Sequence, residues 1–208
     1  MLQDIHSNDV PDGQILHPGS RQLFSYWEQL RAERACPTRE DFEFAPVKHQ
    51  MPDMIVIDRD FLRNSFKFRL AGSRACALFN RNLTNTDVMI GWGRFETDVI
   101  TRHLNTVLNQ KQPAVIRMRL TTDRDCIVAA ELIALPVMMR GSSRIQIIGG
   151  MFPFRAAQSL GHDAITSQEL VSARVIWTEH VAEPAVAHVL PPVSTAGKSF
   201  TLIAGGKI

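Results

Sequence analysis

The chain has 208 residues, 45% of them hydrophobic, with 23 lysines and arginines against 21 aspartates and glutamates. That length and apolar share can bury one proper core. The near-even charge balance supplies no excess of positive charge to track a phosphate backbone and no polybasic run to hold a membrane surface, so neither nucleic acid nor a membrane is expected as a partner.

Three widely spaced cysteines, Cys36, Cys76 and Cys126, stand outside any C-x-x-C pattern. An odd number at such spacings argues against a disulfide framework and against a zinc site. The first twenty residues carry charges and turn formers without an apolar signal region, and no run approaches the length of a membrane span. A cytoplasmic location is expected.

Residues 1 to 19 contain Asp12-Gly13 and Pro18-Gly19 with little periodicity, the pattern of a flexible leader. Ser20 is placed to cap a helix whose Leu23, Phe24, Trp27 and Leu30 fall on one amphipathic stripe, with Pro37 as its latest stop. The following "TREDFEFAPVKHQMPDM" is broken by Pro46 and Pro52 and serves as a connector. "DMIVIDRD" and "SFKFRLAG" then form a pair of strands at hairpin spacing, with Phe66, Phe68 and Leu70 on one face and Lys67 and Arg69 on the other.

Gly72-Ser73 joins the second strand to a short helix. A phosphate cradle there would need further glycines or a Gly-Lys-Ser/Thr ending, and neither is present. Ser73 therefore reads as an N-cap, with Gly72 supplying a tight backbone, and Asn80 as a helix stop that tolerates left-handed geometry. "RFETDVITRHLNTVLNQK" carries Phe95, Val99, Ile100, Leu104, Val107 and Leu108 at helical spacing. Three strands follow, "AVIRMRLTT", "CIVAAELIALPV" and "RIQIIGGMF", with turns at Asp123 to Asp125 and at Gly141-Ser142-Ser143 and a stop at Pro153. Residues 156 to 180 form a weakly ordered extension, with order expected only over Leu170 to Trp177. Residues 181 to 208 form a flexible tail, set by Pro184, Pro191 and Pro192, with an apolar end.

The order helix, two strands, short helices, one long helix and three strands is that of a PAS domain behind an amphipathic helix. "LFSYWEQLR", Pro37 with Arg39, "FRLAGSRACALFNRNLTN", and the "ELIALPV" and "IIGGMFP" endings resemble a bacterial family of small stand-alone PAS-domain proteins over residues 20 to 155. Asn80 departs from the glycine common there before Arg81. The resemblance implies an α+β fold, a five-stranded antiparallel sheet with helices on one face, used in sensing and protein contact. It brings no ligand and no catalytic set with it.

Candidate residues are few. Phe79, Trp92 and Met118 are placed to line an apolar pocket between helices and sheet. His103, at the edge of the long helix's stripe, is a further pocket candidate; haem-binding PAS domains use a histidine on this helix, and the competing role is a partly buried histidine bonded to a neighbour. Arg69, Arg117 and Arg119 alternate with apolar residues and are expected to face water or to pair with acids such as Glu131. No carboxylate pair and no nucleophile signature is present, and His6, His17, His162, His180 and His188 lack the spacing of metal ligands. Leu23, Phe24, Trp27 and Leu30 must be buried on the chain's own sheet or on a second copy, and are the interface candidates.

The reading is a non-catalytic regulatory module, a homodimer acting through contact with another signalling protein, with a small ligand as modulator and no resident cofactor. Two alternatives stay open: a haem or flavin sensor, and a small α+β enzyme with an apolar pocket.

Overall fold

The computed structural model describes residues 13–155 and 163–178. Helix α1 (Pro18–Arg31) leads through three single 3-10 turns into strands β1 (Met54–Asp60) and β2 (Ser65–Ala71), then helices α2 (Ser73–Leu78) and α3 (Arg94–Gln110). Strands β3 (Ala114–Thr122), β4 (Ile127–Met138), β5 (Ile145–Pro153) and β6 (Ile165–Val175) complete one antiparallel sheet in the order β2-β1-β5-β4-β3-β6. The fold class is the α+β antiparallel arrangement expected, with six strands rather than five. The sixth is the extension: Ile165 to Val175 pairs along the free edge of β3, which needs backbone partners, and the order begins earlier than Leu170. The tail from 181 onward lies outside the described residues.

Strand alternation divides the core in two. On one face Ile57, Phe68, Ile116, Met118 and Leu132 pack under α2 and α3 with Ile100, Leu104 and Val107. On the other, Val115, Ile133, Leu135, Val137, Ile148 and Phe152 pack against Leu23, Phe24 and Trp27 of α1. The central strands are therefore covered on both faces, and α1 occupies the face opposite the other helices. This settles where the interface candidates lie in the single chain: Leu23 and Trp27 are fully buried on their own sheet, Phe24 nearly so, and Leu30 half-buried at its margin. The physical reason is anchorage. Trp27 donates its indole N–H to the Pro136 carbonyl at 2.7 Å and stacks with Phe24, and Arg31 lies over its ring.

Local corrections follow from capping. Helix α1 opens with Pro18 at its first turn and is capped by His17, whose Nδ1 accepts from the Gly19 amide, so Ser20 is a buried interior residue instead of the cap. Residues 14 to 19 are consequently part of the fold and not of a leader, while 1 to 12 lie outside the described residues. In α2 the cap is Gly72 and Ser73 is the first helical residue; a Cβ at Gly72 would collide with the Pro52 carbonyl, which explains the glycine. Asn80 adopts the left-handed conformation expected of it, at φ 48°. Phe95 leaves the buried stripe of α3 and stands exposed near the helix start.

Candidate functional site

The α2/α3 face encloses a small apolar chamber. Phe79, Trp92 and Met118 all line it, together with Ile57, Leu104 and Leu132. The space open to the centre of a water-sized sphere is about 20 Å³, room for roughly one water molecule. His103 does not line it: the ring is half-buried elsewhere, with Nδ1 2.8 Å from the Val99 carbonyl oxygen one turn back. The imidazole weighed as an iron ligand therefore lies off the chamber wall.

Beside the chamber lies a wider cleft of about 290 Å³, walled by the Phe79–Arg81 turn, Ile90–Gly91 and the start of β6. Phe79, Arg81, Ile90 and Gln168 belong to both walls, so the cleft is the vestibule of the chamber. The Gln168 amide donates to the Ile90 carbonyl at 3.0 Å, tying β6 to the loop. Gly91 has φ 86° and lies against the Gln168 amide where a side chain would have to go, so only glycine suits both the backbone and the close approach.

The opposite face of the sheet carries a polar cluster that sequence reasoning saw only in pieces. Glu131, fully buried on β4, accepts the Leu16 amide at 3.0 Å, the His17 amide at 2.9 Å and Arg117 Nε at 3.0 Å. Arg117 stands directly across from it on β3 and also donates to the Gln14 carbonyl at 2.7 Å. The His17 ring stacks on Phe152 of β5 at 5.1 Å and meets Phe154 edge-on. Burial lowers the His17 pKa, with Glu131 and a hydrogen bond to the Pro153 backbone pulling the other way. Three strands thus hold the lead-in to α1 with a fully satisfied buried carboxylate, the condition under which burying such a charge is tolerable.

Each gripping residue is next in sequence to one that lines the chamber: Arg117 lies between Ile116 and Met118, Glu131 precedes Leu132, and Phe152 follows Met151. Because successive strand residues point to opposite faces, chamber and latch are the two sides of the same three strands. Arg69 and Arg119 behave as expected of exposed strand arginines, pairing with Asp58 at 3.3 Å and with Glu169 at 2.7 Å. The Arg117–Glu131 pair was expected in kind but not in its burial. The missing signal was the helix start at Pro18-Gly19, which reads as a turn until the His17 cap and the Glu131 carboxylate are seen together.

An antiparallel sheet with helices crossing one face over an apolar chamber is the layout that the resemblance implied. The PAS-domain family model matches residues 15–152. This chain belongs to the PAS-domain family. No curated protein matches it. The family places the chain among sensory and regulatory modules. Strand β6 lies beyond the matched residues, so the outer wall of the vestibule is built by an element outside the family core. Among the described residues no helix is long and apolar enough to cross a membrane.

Proposed function

We propose that this PAS chain is a non-catalytic regulatory protein that senses a small ligand on the chamber side of its sheet and answers by changing how α1 packs on the other side. The observation that carries the reading is the adjacency just described, in which chamber-lining and latch residues alternate on β3, β4 and β5. A ligand that shifts those strands alters the grip on residues 14 to 17 and so shifts the population in which α1 is seated.

In the seated state Leu23, Phe24 and Trp27 belong to the sheet. In the released state the same stripe, with Leu30, is the surface offered to a second copy of the chain or to a signalling partner. This keeps the homodimer expectation and gives it a switch. The small chamber and the absence of His103 from its wall favour this reading over haem and flavin, and Asp87, the one acid among the described chamber residues, has no histidine beside it on that wall to favour the enzyme reading.

Sedimentation velocity over a range of protein concentrations tests the proposal. Glu131→Gln loosens the latch without touching the stripe, so it should self-associate at lower concentration than the wild-type chain. A variant that sediments identically to wild type while α1 is shown to be freed would overturn the role of the stripe.

A further inference from the structure

We propose that the vestibule beside β6 binds a small amphipathic monocarboxylate, with its carboxylate on Arg81 and its hydrocarbon end against Phe79 and Ile90, pointing to the apolar chamber. The inference rests on the ligand-sensing reading above and names the chemical class of the ligand.

Charge selects the class. Of the described residues lining the cleft Arg81 alone carries a formal charge, and it forms no ion pair with any described carboxylate. Its guanidinium lies over the Phe79 ring, 5.8 Å from the centroid, which holds the fork at the boundary between cleft and chamber. A planar guanidinium matches a carboxylate with two parallel hydrogen bonds. One such group balances one negative charge, which disfavours phosphates and dicarboxylates, and it repels amines. Among the described residues lining either space the one acid is Asp87, on the chamber wall, whose Oδ1 accepts the Met89 amide at 2.8 Å.

Shape and polarity select the rest. At about 290 Å³ the cleft stands at the small end of ligand pockets. Its walls near Arg81 include Phe79 and Ile90, and they continue into a chamber whose walls are mostly apolar. A hydrocarbon end is therefore favoured over a polar one. The Gln168 amide, held to Ile90, sits where cleft and chamber meet, and its withdrawal would open the way inward.

The test is calorimetric titration of the full chain with octanoate, octanol and octylamine, repeated on Arg81→Gln. Arg81 is exposed, so the variant should fold, and its circular dichroism and melting curve check this. Octanoate should bind at one site roughly tenfold or more tighter than octanol, and Arg81→Gln should erase that difference while leaving octanol unchanged, since a charge-assisted pair is what is lost. Amide shifts in a nitrogen-15 spectrum should concentrate at Gly91 and Gln168. Equal affinity for octanoate and octanol, undiminished octanoate binding by Arg81→Gln, or no binding at millimolar octanoate would each overturn the assignment. Hydrogen exchange of residues 15 to 31 on the same samples separates the two claims: binding without any change there upholds the ligand class and overturns the coupling to α1.

Discussion

Replacing Glu131 by glutamine should loosen the seat of α1 by an amount that the geometry allows to be worked out. Oε2 takes two donors, the Leu16 amide and Arg117 Nε, and Oε1 takes the His17 amide. A glutamine can set its oxygen at the first position, which leaves its own N–H groups facing the His17 N–H. That strands a buried donor, a cost of about 1–3 kcal/mol. Removing the charge also leaves Arg117, 14% exposed at its side chain, without its buried counter-ion, and breaking such a pair costs about 3–5 kcal/mol. Because Arg117 keeps its bond to the Gln14 carbonyl, we expect the lower end of each cost, about 4 kcal/mol in total. For a domain of this size that corresponds to a fall in Tm of roughly 8–16 °C. Chemical denaturation gives the free energy, and hydrogen exchange gives its location, which should centre on residues 15 to 31. The double variant Arg117→Met with Glu131→Leu should recover part of the loss, because an apolar pair leaves no orphaned charge. A change within about 0.5 kcal/mol of wild type, the size of an ordinary surface substitution, would refute the reasoning, as would a loss with α1 protection intact.

The His17 ring accepts a hydrogen bond only when Nδ1 is unprotonated, and burial lowers its pKa. The folded state therefore binds the proton less readily than the unfolded chain, so this contribution is complete above the ordinary histidine value of 6.5 and is lost as the pH falls below it. Melting temperature should drop on acidification from pH 7 to 5, and His17→Asn, which keeps a cap acceptor, should flatten that slope; an equal slope in the variant would count against it. Trp27→Ala removes a fully buried ring and its hydrogen bond to Pro136. Denaturant titration should show a loss of about 3–5 kcal/mol, and sedimentation should show weaker self-association; an unchanged profile in both would be contrary evidence. Gly149→Ala places a Cβ against the Ile133 carbonyl across the β4–β5 ladder, where backbone must move, so a loss of about 1–3 kcal/mol is expected and a neutral result would show that the two strands part easily.

What could be read from the sequence was whatever depends on local periodicity. The stripe of Leu104 and Val107, the alternation of Ile116, Met118 and Leu120, and the left-handed stop at Asn80 are properties of a few neighbouring residues, and the structure uses them as expected. Phe79, Trp92 and Met118 were chosen because a fold of this layout has its cavity between helices and sheet, and all three line the chamber there. Long-range pairings were not. Nothing near Glu131 says that its partners are amides more than a hundred positions away, and nothing near Ile165 says that a vacant β3 edge will recruit it. His17 was misplaced because Pro18-Gly19 reads as a turn, when proline at the first helical position and a histidine cap make it a helix start. His103 lies at the edge of the stripe as its spacing implied, half-buried with Nδ1 beside the Val99 carbonyl oxygen, which is the partly buried histidine weighed against a ligand role.

The coupling of chamber to α1 is tested most directly by hydrogen exchange on the full chain carrying Met118→Ala. Met118 lines the chamber and belongs to the α2/α3 core, yet it is next to Arg117 on β3. If the two sides of the strands are linked, amides of residues 18 to 31 lose more protection than those of β1 and β2. If protection of α1 is unchanged, or falls only in step with the rest of the sheet, the chamber does not govern the seat of α1 and the regulatory account fails.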